Sequence, residues 1–189
     1  MERSLIISDS EKGVAFFTEI LAQNFDSVIV VAHTGSEARR LLAQQDFELC
    51  IISAPLKDEF GDQLAMTISE KYACQVILVV KAEIFDEVME KVEDYGVITV
   101  SKPLNKTLFW NAVKLAKASR RRLQMMQKEN DKLLQKIEDL RVVNQAKYLL
   151  ISYLRMTEQE AHRYIEKQSM DMRMTKRQIA ENILKTYDS

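Results

Sequence analysis

Five short apolar runs rich in Val and Ile recur through the first hundred residues, at positions 5–7, 28–32, 49–52, 76–80 and 97–100. Their length and β-branched content are typical of strands buried on both faces of a parallel sheet. The stretches between them, near residues 11–24, 35–45, 61–72 and 84–95, carry apolar residues at helical spacing. This alternation predicts a doubly wound α/β fold with five parallel strands, in which ligand chemistry belongs at the carboxyl ends of the strands.

A long helix is predicted after Pro103, and its later part follows a heptad pattern. Spacings of three and four residues alternate along Leu123, Met126, Asn130, Leu133, Ile137, Leu140 and Asn144. We call this stripe the seam. An Asn at an a position costs stability but can pair with its symmetry mate, so the seam favours a parallel, in-register homodimeric coiled coil. The alternative is that Asn130 and Asn144 face solvent on an ordinary amphipathic helix.

Two capping signals predict further helices near the C-terminus. Thr157 precedes Glu160 by three residues, and Thr175 precedes Gln178 by the same distance, as in a capping box. Apolar residues then follow at helical spacing: Ala161, Tyr164, Ile165, Ile179, Ala180, Ile183 and Leu184. These inward stripes predict a small three-helix bundle.

The distribution of turn residues and charge divides the chain in the same way. All four Gly and both Pro lie in the first 103 residues, so the remainder should consist of long helices and polar turns. Residues 1–118 hold 12 Lys/Arg and 18 Asp/Glu, net −6, whereas residues 119–189 hold 15 and 10, net +5. We therefore expect an α/β domain over 1–118, a coiled-coil linker helix over 119–144 and a helical domain over 145–189.

Composition excludes several classes of protein. Cys50 and Cys74 adjoin apolar runs and have no Cys or His at metal-ligand spacing, so we expect core thiols and neither a metal site nor a cofactor. No apolar stretch approaches about 18 residues, and the first run is too short for a signal peptide, so a cytoplasmic chain without a membrane span is expected. An enzyme is not expected, because no Gly-rich phosphate loop or paired catalytic acids are recognisable.

The predicted strand ends carry the residues of a known family. They are Ser8 and Asp9 after the first strand, Ser53 with Gly61 eight residues beyond the third, and Ser101, Lys102 and Pro103 after the fifth. Over residues 1–118 the chain resembles the receiver domain of two-component response regulators, which has a flavodoxin-like fold. The resemblance implies a site where acids hold Mg²⁺, an Asp accepts phosphate, a hydroxyl reads the modified state and a Lys neutralises the phosphoryl oxygens.

Most of that chemistry is missing from this sequence. Ser8 replaces the first acid, Ser53 the phosphoacceptor, Val80 the hydroxyl and Thr99 the aromatic switch residue. Asp9 and Lys102 remain, and we expect them to persist as a structural ion pair. A single carboxylate is a poor Mg²⁺ site, and Asp58 lies five residues beyond the third strand, too far along to substitute for the acceptor. We therefore expect a pseudo-receiver that is not phosphorylated and acts through a regulatory protein partner, a ligand or its oligomeric state.

The C-terminal third carries a second resemblance. The matching pieces are Gln145, Ala146 and Lys147 with the apolar residues that follow, then Thr157 to Ala161, Gln168 to Asp171 and Gln178 to Leu184. They resemble the ANTAR domain of AmiR and NasR antitermination regulators, with the match beginning near residue 130. Tyr148 stands where the family commonly has Gly. The resemblance implies binding to paired stem-loops of a nascent leader transcript, which prevents a terminator hairpin from forming.

Basic residues left outside the apolar stripes are the expected RNA contacts, because a phosphate backbone attracts clustered cations. The candidates are Ala146, Lys147, Arg155, Arg163, Lys167, Lys176 and Arg177. Ala146 either admits a loop base or packs between helices. Tyr148 and Tyr153 either stack on bases or belong to the core.

The favoured function is therefore a dimeric RNA-binding antitermination regulator with a degenerate receiver. The rival is a protein-interaction adaptor that acts through the pseudo-receiver, with a helical tail that serves dimerisation only.

Overall fold

A computed structural model describes residues 2–24 and 27–187. The chain divides into two compact units, Met1–Leu123 and Gln124–Ser189. One long helix, α5, begins in the first unit and ends in the second.

The first unit is built on a five-stranded parallel sheet. Its strands are β1 Glu2–Ile7, β2 Ser27–Ala32, β3 Leu49–Ser53, β4 Gln75–Lys81 and β5 Ile98–Lys102. They lie in the order β2-β1-β3-β4-β5, so the strand order reverses between β1 and β3. A crevice at the carboxyl ends of these two strands is where such folds bind ligands. The predicted doubly wound, flavodoxin-like sheet is confirmed.

Helices cover both faces of this sheet. They are α1 Glu11–Asn24, α2 Gly35–Gln44, α3 Asp62–Lys71, α4 Phe85–Val92 and the first turns of α5 Lys106–Leu154. Alternate residues along each strand supply two cores, one under α2, α3 and α4 and one under α1 and α5. In the second core, the rings of Phe17 and Phe109 lie 5.0 Å apart between centroids. Cys50 and Cys74 are free and buried, as their apolar surroundings predicted.

The second unit is a three-helix bundle formed by the end of α5, α6 Glu158–Met172 and α7 Lys176–Tyr187. Both predicted caps are present. The Thr157 hydroxyl accepts from the Glu160 N–H, while the Glu160 carboxylate accepts from the Thr157 N–H at 2.8 Å. Thr175 and Gln178 make the same reciprocal pair. The buried residues are Val142, Ala146, Leu150, Ala161, Ile165, Ile179, Ala180 and Ile183.

Candidate functional site

At the carboxyl ends of the strands, three residues that replace the chemistry of a working receiver are buried. Ser8 is fully buried, and its Oγ accepts a hydrogen bond of 3.2 Å from the Ser10 N–H. Ser53 and Val80 are also buried, whereas Asp9 is exposed. Ser8 and Ser53, two of the positions that would hold a metal or accept a phosphoryl group in a working receiver, are therefore packed inside the domain.

Lys102 corrects one expectation. Its Nζ donates to the carbonyl oxygen of Ala54 at 2.7 Å, and no ion pair with Asp9 is present among the described residues. Desolvation lowers the pKa of Lys102, and the smaller attraction of Asp9 raises it. The predicted Asp9–Lys102 ion pair is therefore wrong, because the ammonium group donates to the backbone that follows β3 and Asp9 acts on it only from a longer distance.

The receiver resemblance implies Mg²⁺, and the residues at this edge do not fit it. Mg²⁺ prefers octahedral oxygen coordination supplied mainly by carboxylates. Two of the three acidic positions are Ser8 and Ser53, which leaves Asp9 alone. Residues 2–24 and 27–187 contain no group of three or more His, Cys, Asp or Glu side chains placed to hold a metal ion.

Asp58 caps a helix that precedes it in the chain. Its carboxylate accepts hydrogen bonds from the Gly35 N–H at 2.8 Å and the Ser36 N–H at 2.9 Å, at the start of α2. These bonds lower the pKa of Asp58 to about 2, and the bond from the Ser36 N–H has the largest effect. The adjacent Glu59 forms a two-point pair with Arg39, also on α2. These contacts attach the loop after β3 to α2. In the sequence, the only sign of them is that two adjacent acidic residues lie in this loop.

Two of the predicted RNA contacts, Ala146 and Lys147, are not freely available at the surface of the bundle. Ala146 is fully buried between the helices, so the structure favours the helix-packing alternative for this residue. Only 15% of the Lys147 side chain is exposed, and its Nζ lies 3.0 Å from Glu158.

Two further candidate cations are paired at the start of α7. Lys176 Nζ lies 2.5 Å from Glu166 on α6. Arg177 bonds both Glu181, at 2.8 Å, and Asp139 on α5, at 2.7 Å. The bonds to Glu181 and then Asp139 raise the pKa of Arg177. These pairs connect α7 to its neighbours, so they serve packing of the bundle as well as surface charge.

Three of the predicted contacts remain without an ion pair among the described residues: Arg155, Arg163 and Lys167. All three are exposed. Arg155 lies between α5 and α6 with a φ of 53°, and Arg173, between α6 and α7, has a φ of 54°. Left-handed backbone favours Gly, because Gly has no side chain to clash with the backbone. Both turns therefore hold an exposed Arg in a conformation that would be less strained for Gly.

The tyrosines lie at the surface. Tyr148 is 69% exposed and lines an open groove with Arg141, Asn144 and Leu184. Tyr153 is 63% exposed, with its ring 5.2 Å from that of Tyr187. The core alternative therefore does not apply to Tyr148 or Tyr153, and both rings present an accessible face.

The apolar seam residues are more than half exposed in the single chain, from 52% for Leu133 to 63% for Ile137. Asn130 and Asn144 are also exposed. A stripe of this kind on one helix is an unusual apolar surface for a chain with no partner.

Comparison with known proteins agrees with these two units. The ANTAR domain family matches residues 131–184. The receiver domain of an HD domain-containing protein from Pseudomonas fluorescens Pf-5 is similar to this chain with a TM-score of 0.59 and 19% identity, covering 66% of this chain and 92% of that one. A CheY-like receiver domain from Methanospirillum hungatei JF-1 has a TM-score of 0.56 and 19% identity, covering 65% and 98%. These similarities establish the receiver fold.

In this chain a receiver fold is thus followed by a region that matches the ANTAR domain family, a combination that supports a response regulator of the ANTAR type. The transcriptional regulatory protein PdtaR of Mycobacterium tuberculosis H37Rv is 26% identical over 186 residues, which cover 97% of this chain and 90% of PdtaR. No helix within the described ranges is both long and apolar enough to cross a membrane.

Proposed function

We propose that this chain is a cytoplasmic, RNA-binding antitermination regulator that holds stem-loops of a nascent leader transcript and so prevents formation of a terminator. The observation that carries the proposal is the surface of the bundle within the ANTAR match. Arg155, Arg163 and Lys167 are exposed there, and none of them has an acidic partner in the part of the chain that the structure describes. Exposed Tyr148 and Tyr153 add flat aromatic faces on which splayed loop bases can stack.

The chain acts as a homodimer through the seam in this proposal. Burying five apolar side chains that are each more than half exposed supplies a hydrophobic driving force for association. Asn130 and Asn144 then set a parallel register by pairing with their symmetry mates. Replacing both by Leu should produce a mixture of oligomeric states in analytical ultracentrifugation. A wild-type chain that sediments as a monomer would refute dimerisation through the seam.

The receiver serves as an input module without phosphorylation. Buried Ser8 and Ser53 offer no carboxylate, and Asp58 is held by α2 through three hydrogen bonds. Incubation with acetyl phosphate and Mg²⁺ should therefore leave the intact mass unchanged. A phosphoryl mass gain at any aspartate would contradict this part of the proposal.

RNA binding is tested with a pool of two-hairpin RNAs that have randomised loops, and with a matched pool whose stem strands are not complementary. The wild type should retain the paired pool, enrich particular loop sequences and bind less tightly as salt rises. The triple variant Arg155→Gln/Arg163→Gln/Lys167→Gln should lose most of this binding. Equal retention of the two pools would favour the adaptor function instead.

A matched control carries the same loss of three charges on the first unit. Lys12, Lys57 and Lys71 are exposed residues outside the ANTAR match. Lys12→Gln/Lys57→Gln/Lys71→Gln should bind RNA as the wild type does. An equal loss in both variants would mean that net charge, and not the bundle surface, governs binding.

A further inference from the structure

Three lysines form a row along the part of α5 that precedes the bundle. Lys128, Lys132 and Lys136 are each four residues apart, exposed, and without an ion pair among the described residues. Residues four apart share one side of a helix and rise by about 6 Å along its axis. We call these three residues the lysine row.

The net charge of the segment around the lysine row is zero, so composition alone does not reveal the row. Residues 124–144 hold four basic and four acidic side chains. Two of the acids are already engaged, Glu138 with Arg141 and Asp139 with Arg177. Of the other two acids, Glu129 lines the same shallow groove as the row and Asp131 lies between Lys128 and Lys132 in the sequence, so three ammonium groups stand against two carboxylates.

The lysine row also stays accessible when the seam is occupied. In the heptad that begins with Leu123 at position a, Lys128 and Lys132 fall at the outward positions f and c. Lys136 falls at the flanking position g. A second copy packed along the a and d residues would therefore leave the ammonium groups in solvent.

The lysine row leads to the bundle. Asp139, three residues beyond Lys136 on α5, bonds Arg177 at the start of α7 with an N–O distance of 2.7 Å. This contact brings the N-terminal end of α7 against the same stretch of helix. The first turn of α7 therefore contacts α5 about one helical turn beyond Lys136, within the second unit.

We propose that the lysine row is a second phosphate-binding surface, which holds the backbone of a double-stranded RNA stem while the bundle holds the loop. This inference rests on the proposed RNA-binding function. Lysines are point charges that contact phosphates without reading bases, and paired RNA offers regularly spaced phosphates with little sequence to read. The row therefore contributes affinity that depends on stem length and not on loop sequence.

The experiment compares wild type with Lys128→Gln/Lys132→Gln/Lys136→Gln on RNAs recovered from the loop-randomised pool. Each RNA is made with a short stem and with a stem longer by about one helical turn. Gln preserves helix propensity, and circular dichroism with sedimentation checks that fold and oligomeric state are unchanged. The control is Lys12→Gln/Lys57→Gln/Lys71→Gln.

On long stems, losing three phosphate contacts should reduce the slope of log affinity against log salt by about 2.1 to 2.7. Between about 50 and 200 mM salt, the wild type then loses about 20- to 40-fold more affinity than the lysine-row variant. On short stems the two proteins should bind alike. Unchanged affinity and slope on long stems would overturn the lysine row alone, whereas a wild type that does not prefer paired RNA would overturn the proposed function.

Discussion

A substitution at Ala146 can distinguish a role in packing the bundle from a direct contact with RNA. It belongs to the motif that carries the ANTAR resemblance, yet it is fully buried among Leu150, Ala161 and Ala180 in the core of the bundle. Changing Ala146→Leu adds three carbon atoms at a fully buried position. Overpacking of this kind costs about 1 to 3 kcal/mol. For a unit of this size, that corresponds to a fall in melting temperature of about 4 to 8 °C per kcal/mol.

The assay is thermal unfolding of the full chain followed by circular dichroism, with RNA binding measured well below the transition. The matched control is Ala118→Leu, the same change at an exposed position on the same helix. It should alter stability by no more than about 0.5 kcal/mol. The Ala146→Leu variant should melt at a lower temperature and, where it is still folded, bind RNA as the wild type does. An unchanged melting temperature together with lost RNA binding would refute the packing role and restore Ala146 as a direct contact.

Three other changes test separate features. Arg173→Gly relieves the left-handed φ of 54° and should raise the free energy of unfolding by up to about 1 kcal/mol in chemical denaturation, so a clear loss would contradict the strain. Thr157→Ala removes the capping box of α6 and should cost about 1 kcal/mol in the same measurement, with no effect counting against the cap. Asp58→Asn should destabilise the chain at neutral pH; since the folded pKa is about 2 and the unfolded one about 3.9, the difference from wild type should shrink as pH falls from about 4 to 2, and a pH-independent difference would rule out the carboxylate as its source.

Local signals in the sequence were enough to predict most of the fold. The β-branched runs at 49–52 and 76–80 became central strands buried on both faces, since only such strands tolerate unbroken apolar sequence. Thr157 and Thr175 marked helix starts because a cap depends on residues three positions away.

Features that depend on distant partners were not predicted. Asp58 meets Gly35 and Ser36, more than twenty residues earlier, and Lys102 meets a backbone carbonyl where a carboxylate was expected. Charge along the chain likewise could not separate Arg177, which pairs with Asp139 and Glu181, from Arg163, which has no ion pair among residues 2–24 and 27–187. Which cations stay available is set by how the helices of the bundle pack against one another.

The central claim is that the bundle surface holds paired RNA in the cell. The most direct measurement is sequencing of RNA crosslinked to the tagged full-length chain in its own cell, with the Arg155→Gln/Arg163→Gln/Lys167→Gln variant expressed in parallel. For the wild type, reads should be concentrated on hairpins upstream of terminators, and these reads should be lost in the variant. Equal recovery of RNA by both proteins, or no hairpin enrichment for the wild type, would contradict it.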